Sequence, residues 1–146
     1  MLSEGDISDN IEQVIYTCIS IKASFVEQDE FDNGERQKLN FGHTLGHAIE
    51  KMTDFAIPHG QAVGVGMKLI CQWAEKQKFT KVGCADKIDT LLKKFGMIDS
   101  VNCELSSLWK TVTNDKKLKG NDIDLVLIKD IGDSYLYRTQ IGKLIG

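Results

Sequence analysis

From Ser8 to about Gln28 the apolar residues Ile11, Val14, Ile15, Cys18, Ile19, Phe25 and Val26 fall mostly at helical spacing, and Ser8 or Asp9 can cap that helix. The stretch "QDEFDNGER" then reads as an acidic loop with a turn at Asn33-Gly34. A second helix is predicted from about Leu39 or Phe41 to Met52. It is broken by "TDFAIPHG", which holds the only proline, Pro58. A third helix follows from about Gly60 to Lys78, and its "GQAVGVGMKLICQWA" is apolar nearly all round, which predicts burial at the centre of the domain. Gly60, Gly64 and Gly66 weaken its early turns by up to about 1 kcal/mol each relative to alanine. That cost points to close backbone approach by a neighbouring helix or a ligand. Further helices are predicted over about Gly83 to Phe95, stopping at Gly96, and over about Leu105 to Thr113. The period then changes: "IDLVLI" (123–128) and "SYLYR" (134–138) read as short strands around a turn at Gly132, before a final helical tail. The chain is therefore expected to be mainly α, with a small β-hairpin appended. No GxGxxG or P-loop pattern is present, so no nucleotide-binding βαβ unit is expected.

A chain of 146 residues suits one domain with one core, and 42% hydrophobic with 27% charged residues describes an ordinary soluble globular protein. The net charge of -3 argues against a nucleic-acid partner, because a phosphate backbone calls for a basic surface. No apolar run reaches 18 residues and the N-terminus lacks a signal-peptide pattern, so no membrane partner and a cytoplasmic location are expected. Cys18, Cys71, Cys84 and Cys103 form no CxxC pair and read as reduced thiols, with Cys18 and Cys71 buried on apolar helix faces.

All three histidines, His43, His47 and His59, fall in one short window, "LNFGHTLGHAIE" followed by "HGQAVGVGM". His43 and His47, four residues apart, share one helix face. His59 returns to the same site if the second and third helices pack antiparallel. Three imidazoles together are a zinc-type donor set, although capping helices and satisfying core hydrogen bonds is the blander role for each. The residue after His43 is Thr44 and not glutamate, which argues against a metalloprotease. Glu50 can meet His47, but about 10 Å of helix separates it from His43, so the two cannot easily share one ion. Lys22, Arg36 and Asn40 precede the histidines and suit an anionic ligand.

The stretches "IKASFVEQDEFDNGERQKLNFGHTLGHAIE" and "PHGQAVGVGM", with the later "NDKKLKGNDIDLVLIKDIG", resemble the C-terminal domain of the 3-dehydroquinate synthase family over about residues 8 to 140. The resemblance implies the helical C-terminal domain of the dehydroquinate synthase-like fold across residues 1–146. It implies a carbon-oxygen lyase of the shikimate pathway that turns 3-deoxy-D-arabino-heptulosonate 7-phosphate into 3-dehydroquinate and phosphate. It implies a divalent metal, zinc or another such as cobalt, on His43, His59 and one glutamate. It places His47 beside the substrate as a catalytic residue, with Lys22, Arg36 and Asn40 contacting substrate. It implies that Lys117, or failing that Lys116, reaches the phosphate. NAD is the family's second cofactor, held by an N-terminal Rossmann-like domain.

Two departures bear on these expectations. The family reads HGE where this chain has His59-Gly60-Gln61, which can alter the tuning of His59. The glutamate ligand sits some 60 residues before the first motif histidine in the family, whereas only 42 residues precede His43 here. The chain on its own is therefore expected to lack the NAD domain, to bind zinc weakly and to be inactive, with the missing N-terminal half or a homodimer partner completing it. Asp29 or Glu30 could stand in for the glutamate only by ordering the acidic loop. The competing readings are a related sugar-phosphate cyclase, a glycerol-dehydrogenase-like domain, and a free-standing metal- or partner-binding module without catalysis.

Overall fold

The computed structural model describes residues 10–31, 34–114 and 121–144. The chain divides into two units, residues 1–39 and 40–146. In the first, helix α1 spans Ile11–Gln28, directly after Asn10. Ser8 and Asp9, the expected caps, lie outside the described residues, as does Asn33 of the expected turn. The apolar stripe of α1 has helical spacing, yet the helix buries none of its residues: Ile15 is 50% and Ile19 62% exposed. Cys18 on this helix is exposed as well, contrary to expectation. After α1, the Asp29 carboxylate accepts hydrogen bonds from the backbone N–H of Gly34 (2.8 Å) and of Arg36 (3.1 Å), which folds the acidic loop back on itself.

A short 3-10 helix over Glu35–Asn40 leads into the second unit. Helix α2 (His43–Met52) begins later than the apolar spacing predicts, because Gly42 takes φ +80° and ends the preceding turn. Helix α3 (His59–Lys76) follows Pro58, whose fixed φ of -57° suits the position before a helix. Helices α4 (Cys84–Lys94) and α5 (Leu105–Thr113) lie close to their predicted bounds. Strands β1 (Asp122–Asp130) and β2 (Asp133–Gln140) form one antiparallel hairpin around Gly132 at φ +89°. The expected helical tail is a single 3-10 turn, Ile141–Lys143. The fold is thus mainly α with a two-stranded hairpin, as the pattern implied.

Helix α3 is the central element. It buries Ala62, Val63, Gly64, Val65, Gly66, Ile70, Cys71, Trp73 and Ala74, which accounts for its nearly uniform apolarity. Leu45 and Ile49 of α2, Leu108 and Trp109 of α5, and Leu125 and Leu127 of β1 complete the same core. Trp73 and Trp109 meet edge-on, with ring centroids 5.8 Å apart. The inward positions Ile123, Leu125 and Leu127 alternate along β1, while Ile128 joins a second cluster with Cys71, Cys84 and Ala85. Burial pushes the Cys71 thiol up to about 12, so Cys71 is an inert packing residue.

The hairpin is fixed to the α3–α4 connection by polar contacts. The Thr80 hydroxyl donates to the Ile128 carbonyl (2.6 Å), and the Tyr135 hydroxyl donates to the Phe79 carbonyl (3.2 Å). Lys81 pairs with Asp130 at 2.5 Å. The hydrogen bond from Lys81, aided by the Ile131 N–H, holds the Asp130 carboxyl at about 2, below its ordinary 3.8. Because the folded value is the lower one, this contribution to stability is complete above pH 3.8 and is lost as pH falls toward 2. Acid titration followed by circular dichroism is therefore expected to show a steeper loss of stability between those values in the native chain than in Asp130→Asn. Superimposable profiles would show that the pair contributes nothing.

Candidate metal and substrate site

The site is built on the α2–α3 pair. A β-carbon placed on Gly42 would meet Met67, and one on Gly46 would meet Val63 at 3.0 Å, so the two helices run antiparallel with close backbone approach. Continuing that register one turn further sets Glu50 opposite His59, and their side chains do meet: Glu50 Oε1 lies 3.1 Å from His59 Nδ1. Gly66 accounts for the tight crossing, since its β-carbon would lie 2.3 Å from the Gly42 carbonyl oxygen. Gly64 faces Leu92, but Gly60 has open space around it, so the expected close approach holds at two of those three glycines.

This packing gathers the three imidazoles. Ring centroids are 5.3 Å apart for His43–His59 and 5.7 Å for both His43–His47 and His47–His59. His43 opens α2, His47 lies one turn on, and His59 opens α3. His43 Nδ1 is 3.4 Å from the Phe41 carbonyl oxygen. Enclosure by neighbouring side chains is the largest influence on His47 and holds its imidazole below the ordinary 6.5, although the residue as a whole is exposed. Glu50 opposes that shift, while His43, His59 and Lys51 reinforce it. His47 is therefore neutral at neutral pH and able to accept a proton.

The donor chemistry fits a divalent cation, because imidazole nitrogens with a carboxylate suit zinc and cobalt. His47, Glu50 and His59 each offer a ligand atom, all within 4.8 Å of one another. That grouping differs from the expected His43–His59 pair. The Glu50 carboxylate already engages His59 at Nδ1, which leaves Nε2 as the nitrogen free to meet a metal. Spacing along α2 predicts Glu50 beside His47 but not its contact with His59, because helix geometry reports only neighbours on the same helix.

The other expected site residues are placed as follows. Asn40, exposed, ends the 3-10 helix two residues before α2. Lys22 and Arg36 belong to the first unit: Lys22 is exposed on α1, and the Arg36 guanidinium donates to the Glu30 carbonyl (3.0 Å). Lys116 and Lys117 lie outside the described residues. Gln61, expected to bear on His59, instead accepts a hydrogen bond from the Ile98 N–H (2.8 Å). Among the described residues no helix is long and apolar enough to cross a membrane.

The sequence and the fold both have relatives among known proteins. Residues 3–118 match the family model described as 3-dehydroquinate synthase C-terminal. The 3-dehydroquinate synthase of Clostridium perfringens (strain 13 / Type A) is 46% identical over 141 residues, which cover 95% of this chain and 40% of that protein. The 3-dehydroquinate synthase of Streptococcus gordonii is 36% identical, covering 97% of this chain and 41% of its own length. A solved 2-deoxy-scyllo-inosose synthase, complexed with carbaglucose-6-phosphate, NAD+ and Co2+, superposes with a TM-score of 0.77 at 25% identity, over 94% of this chain and 41% of that one. The chain spans about two-fifths of the length of these relatives. With the family model matched over most of its residues, the chain belongs to the 3-dehydroquinate synthase C-terminal family.

Proposed function

We propose that this chain is the metal- and substrate-holding part of a 3-dehydroquinate synthase, acting on 3-deoxy-D-arabino-heptulosonate 7-phosphate to give 3-dehydroquinate and phosphate. The observation that carries this reading is the convergence of His43, His47 and His59 within 5.7 Å, on a chain 46% identical to a named 3-dehydroquinate synthase. His43 and His59 would hold a divalent metal, zinc or cobalt. Such an ion supplies Lewis-acid stabilisation of negative charge on substrate oxygens. His47, neutral and beside both, handles a proton of the substrate. Lys22, Arg36 and Asn40 bind the anionic sugar, and Lys117 or Lys116 its phosphate, which holds the substrate in register. NAD would be bound by the preceding portion of a longer protein or by a partner chain. Co2+ and NAD+ in the solved neighbour support both cofactors. The free thiols support a cytoplasmic setting.

The solved neighbour favours one second reading, a sister cyclase closing a different ring from a sugar phosphate. The 46% identity to a dehydroquinate synthase, against 25% to this cyclase, supports the first reading over it. Zinc calorimetry tests the metal assignment. Weak binding is expected for this chain, because two imidazoles lack the third protein ligand of a catalytic site. Joining the chain to the preceding portion of the Clostridium perfringens relative should give tight one-to-one binding. If the joined protein bound no zinc while the relative did, the assignment would be wrong.

A further inference from the structure

The carboxylate that meets His59 comes from the neighbouring helix, while the nearby polar side chain on its own helix, Gln61, is an amide engaged elsewhere. Gln61 turns away to accept the Ile98 N–H, whereas Glu50 Oε1 lies 3.1 Å from His59 Nδ1. The Glu50 side chain is 12% exposed and the His59 side chain 53%, so the carboxylate is the fixed member of the pair and the imidazole the one that is oriented. The α2–α3 register that brings Gly46 onto Val63 also brings Glu50 onto His59, so the contact follows from the packing of two helices and not from a chance rotamer.

We propose that Glu50 is the positioning residue for His59: its carboxylate accepts the Nδ1 proton and thereby leaves the His59 Nε2 lone pair to face a divalent metal. This rests on the metal-site reading above. A histidine that ligates through one nitrogen is held and made more basic when its other N–H is given to a carboxylate, and loss of such a partner costs about 10–100-fold in metal affinity. His43 has a parallel arrangement, with Nδ1 3.4 Å from the Phe41 carbonyl oxygen, so Nε2 is the nitrogen left to a metal on both histidines. In this account Glu50 is an orienting group, and the tighter grouping of His47, Glu50 and His59 reflects that role and not a ligand set.

The test has two readouts. In the metal-free chain, long-range nitrogen–proton NMR of the imidazoles should show neutral His59 protonated at Nδ1. Glu50→Ala should shift it toward the Nε2–H form, whereas Glu50→Gln, which keeps an acceptor oxygen, should retain most of the bias. In the chain joined to the preceding portion of the Clostridium perfringens relative, cobalt(II) titration should give about 10–100-fold weaker binding for Glu50→Ala with an unchanged visible spectrum. Glu50→Gln should fall between it and the native protein. Glu50→Leu, similar in size but without an acceptor oxygen, carries both readouts if the alanine variant does not fold. An unchanged tautomer in the variant that lacks the acceptor would overturn the proposal whether or not cobalt binds. A cobalt spectrum altered by Glu50→Gln would overturn it in favour of direct ligation by Glu50. Failure of the native joined protein to bind cobalt would overturn the metal-site reading itself, which the metal-free tautomer result does not depend on.

Discussion

Gly66→Ala is expected to lower the stability of the chain by at least about 3 kcal/mol, the upper end of what overpacking a core costs. The added methyl would lie 2.3 Å from the Gly42 carbonyl oxygen and 2.8 Å from the Gly46 nitrogen. Both are backbone atoms, so no side chain can rotate aside. The Gly42 carbonyl also accepts the Gly46 N–H at 2.9 Å, the bond that opens α2, so the methyl would press on the turn that carries His43. A loss of that size is a large part of the roughly 5–15 kcal/mol by which domains are stable. Gly60→Ala provides the contrast. Its β-carbon meets nothing within 4 Å, and a helical alanine gains up to about 1 kcal/mol over glycine. Urea unfolding should place the Gly66→Ala midpoint far below the native one and that of Gly60→Ala at or above it. Equal midpoints would mean that α2 and α3 do not cross as closely as described.

The histidines should separate by role in the protein joined to its preceding portion. His43→Ala and His59→Ala are each expected to weaken zinc binding by more than about 100-fold, beyond the range lost with an orienting partner alone. His47→Ala should leave zinc binding within a few-fold of native and lower kcat by about 10²–10⁴, the usual contribution of a positioned proton-transfer group. The rings are nearly equidistant, so proximity alone does not distinguish them. Their ring nitrogens do, since His43 and His59 each have Nδ1 directed at an oxygen acceptor. Calorimetry and steady-state kinetics on the three variants check the assignment. Zinc binding lost with His47→Ala and kept with His43→Ala would reverse it.

Elements whose boundaries are set by local chemistry were legible from the residues. Helix α5 spans Leu105–Thr113, as its spacing implied, and Gly132 turns the hairpin where expected. The start of α2 was misplaced because Leu39 and Phe41 keep helical spacing through a 3-10 turn, and only the positive φ of Gly42 shows where the helix begins. The stripe on α1 has the period of a buried face without being one, since periodicity reports what a helix could bury and not what covers it. The gathering of the histidines needed one assumption, antiparallel α2 and α3, which the glycine contacts support. The Glu50–His59 contact needed the register of that packing as well. Side-chain spacing along one helix contains no such information.

Phosphate release from 3-deoxy-D-arabino-heptulosonate 7-phosphate, with NAD and zinc supplied, tests the central claim most directly. The proteins to compare are this chain alone, the chain joined to the preceding portion of the Clostridium perfringens relative, and that relative intact. The account predicts release by the joined protein and by the relative, and none by the chain alone. Release by the chain alone, or an inert joined protein that is folded and binds zinc beside an active relative, would contradict it.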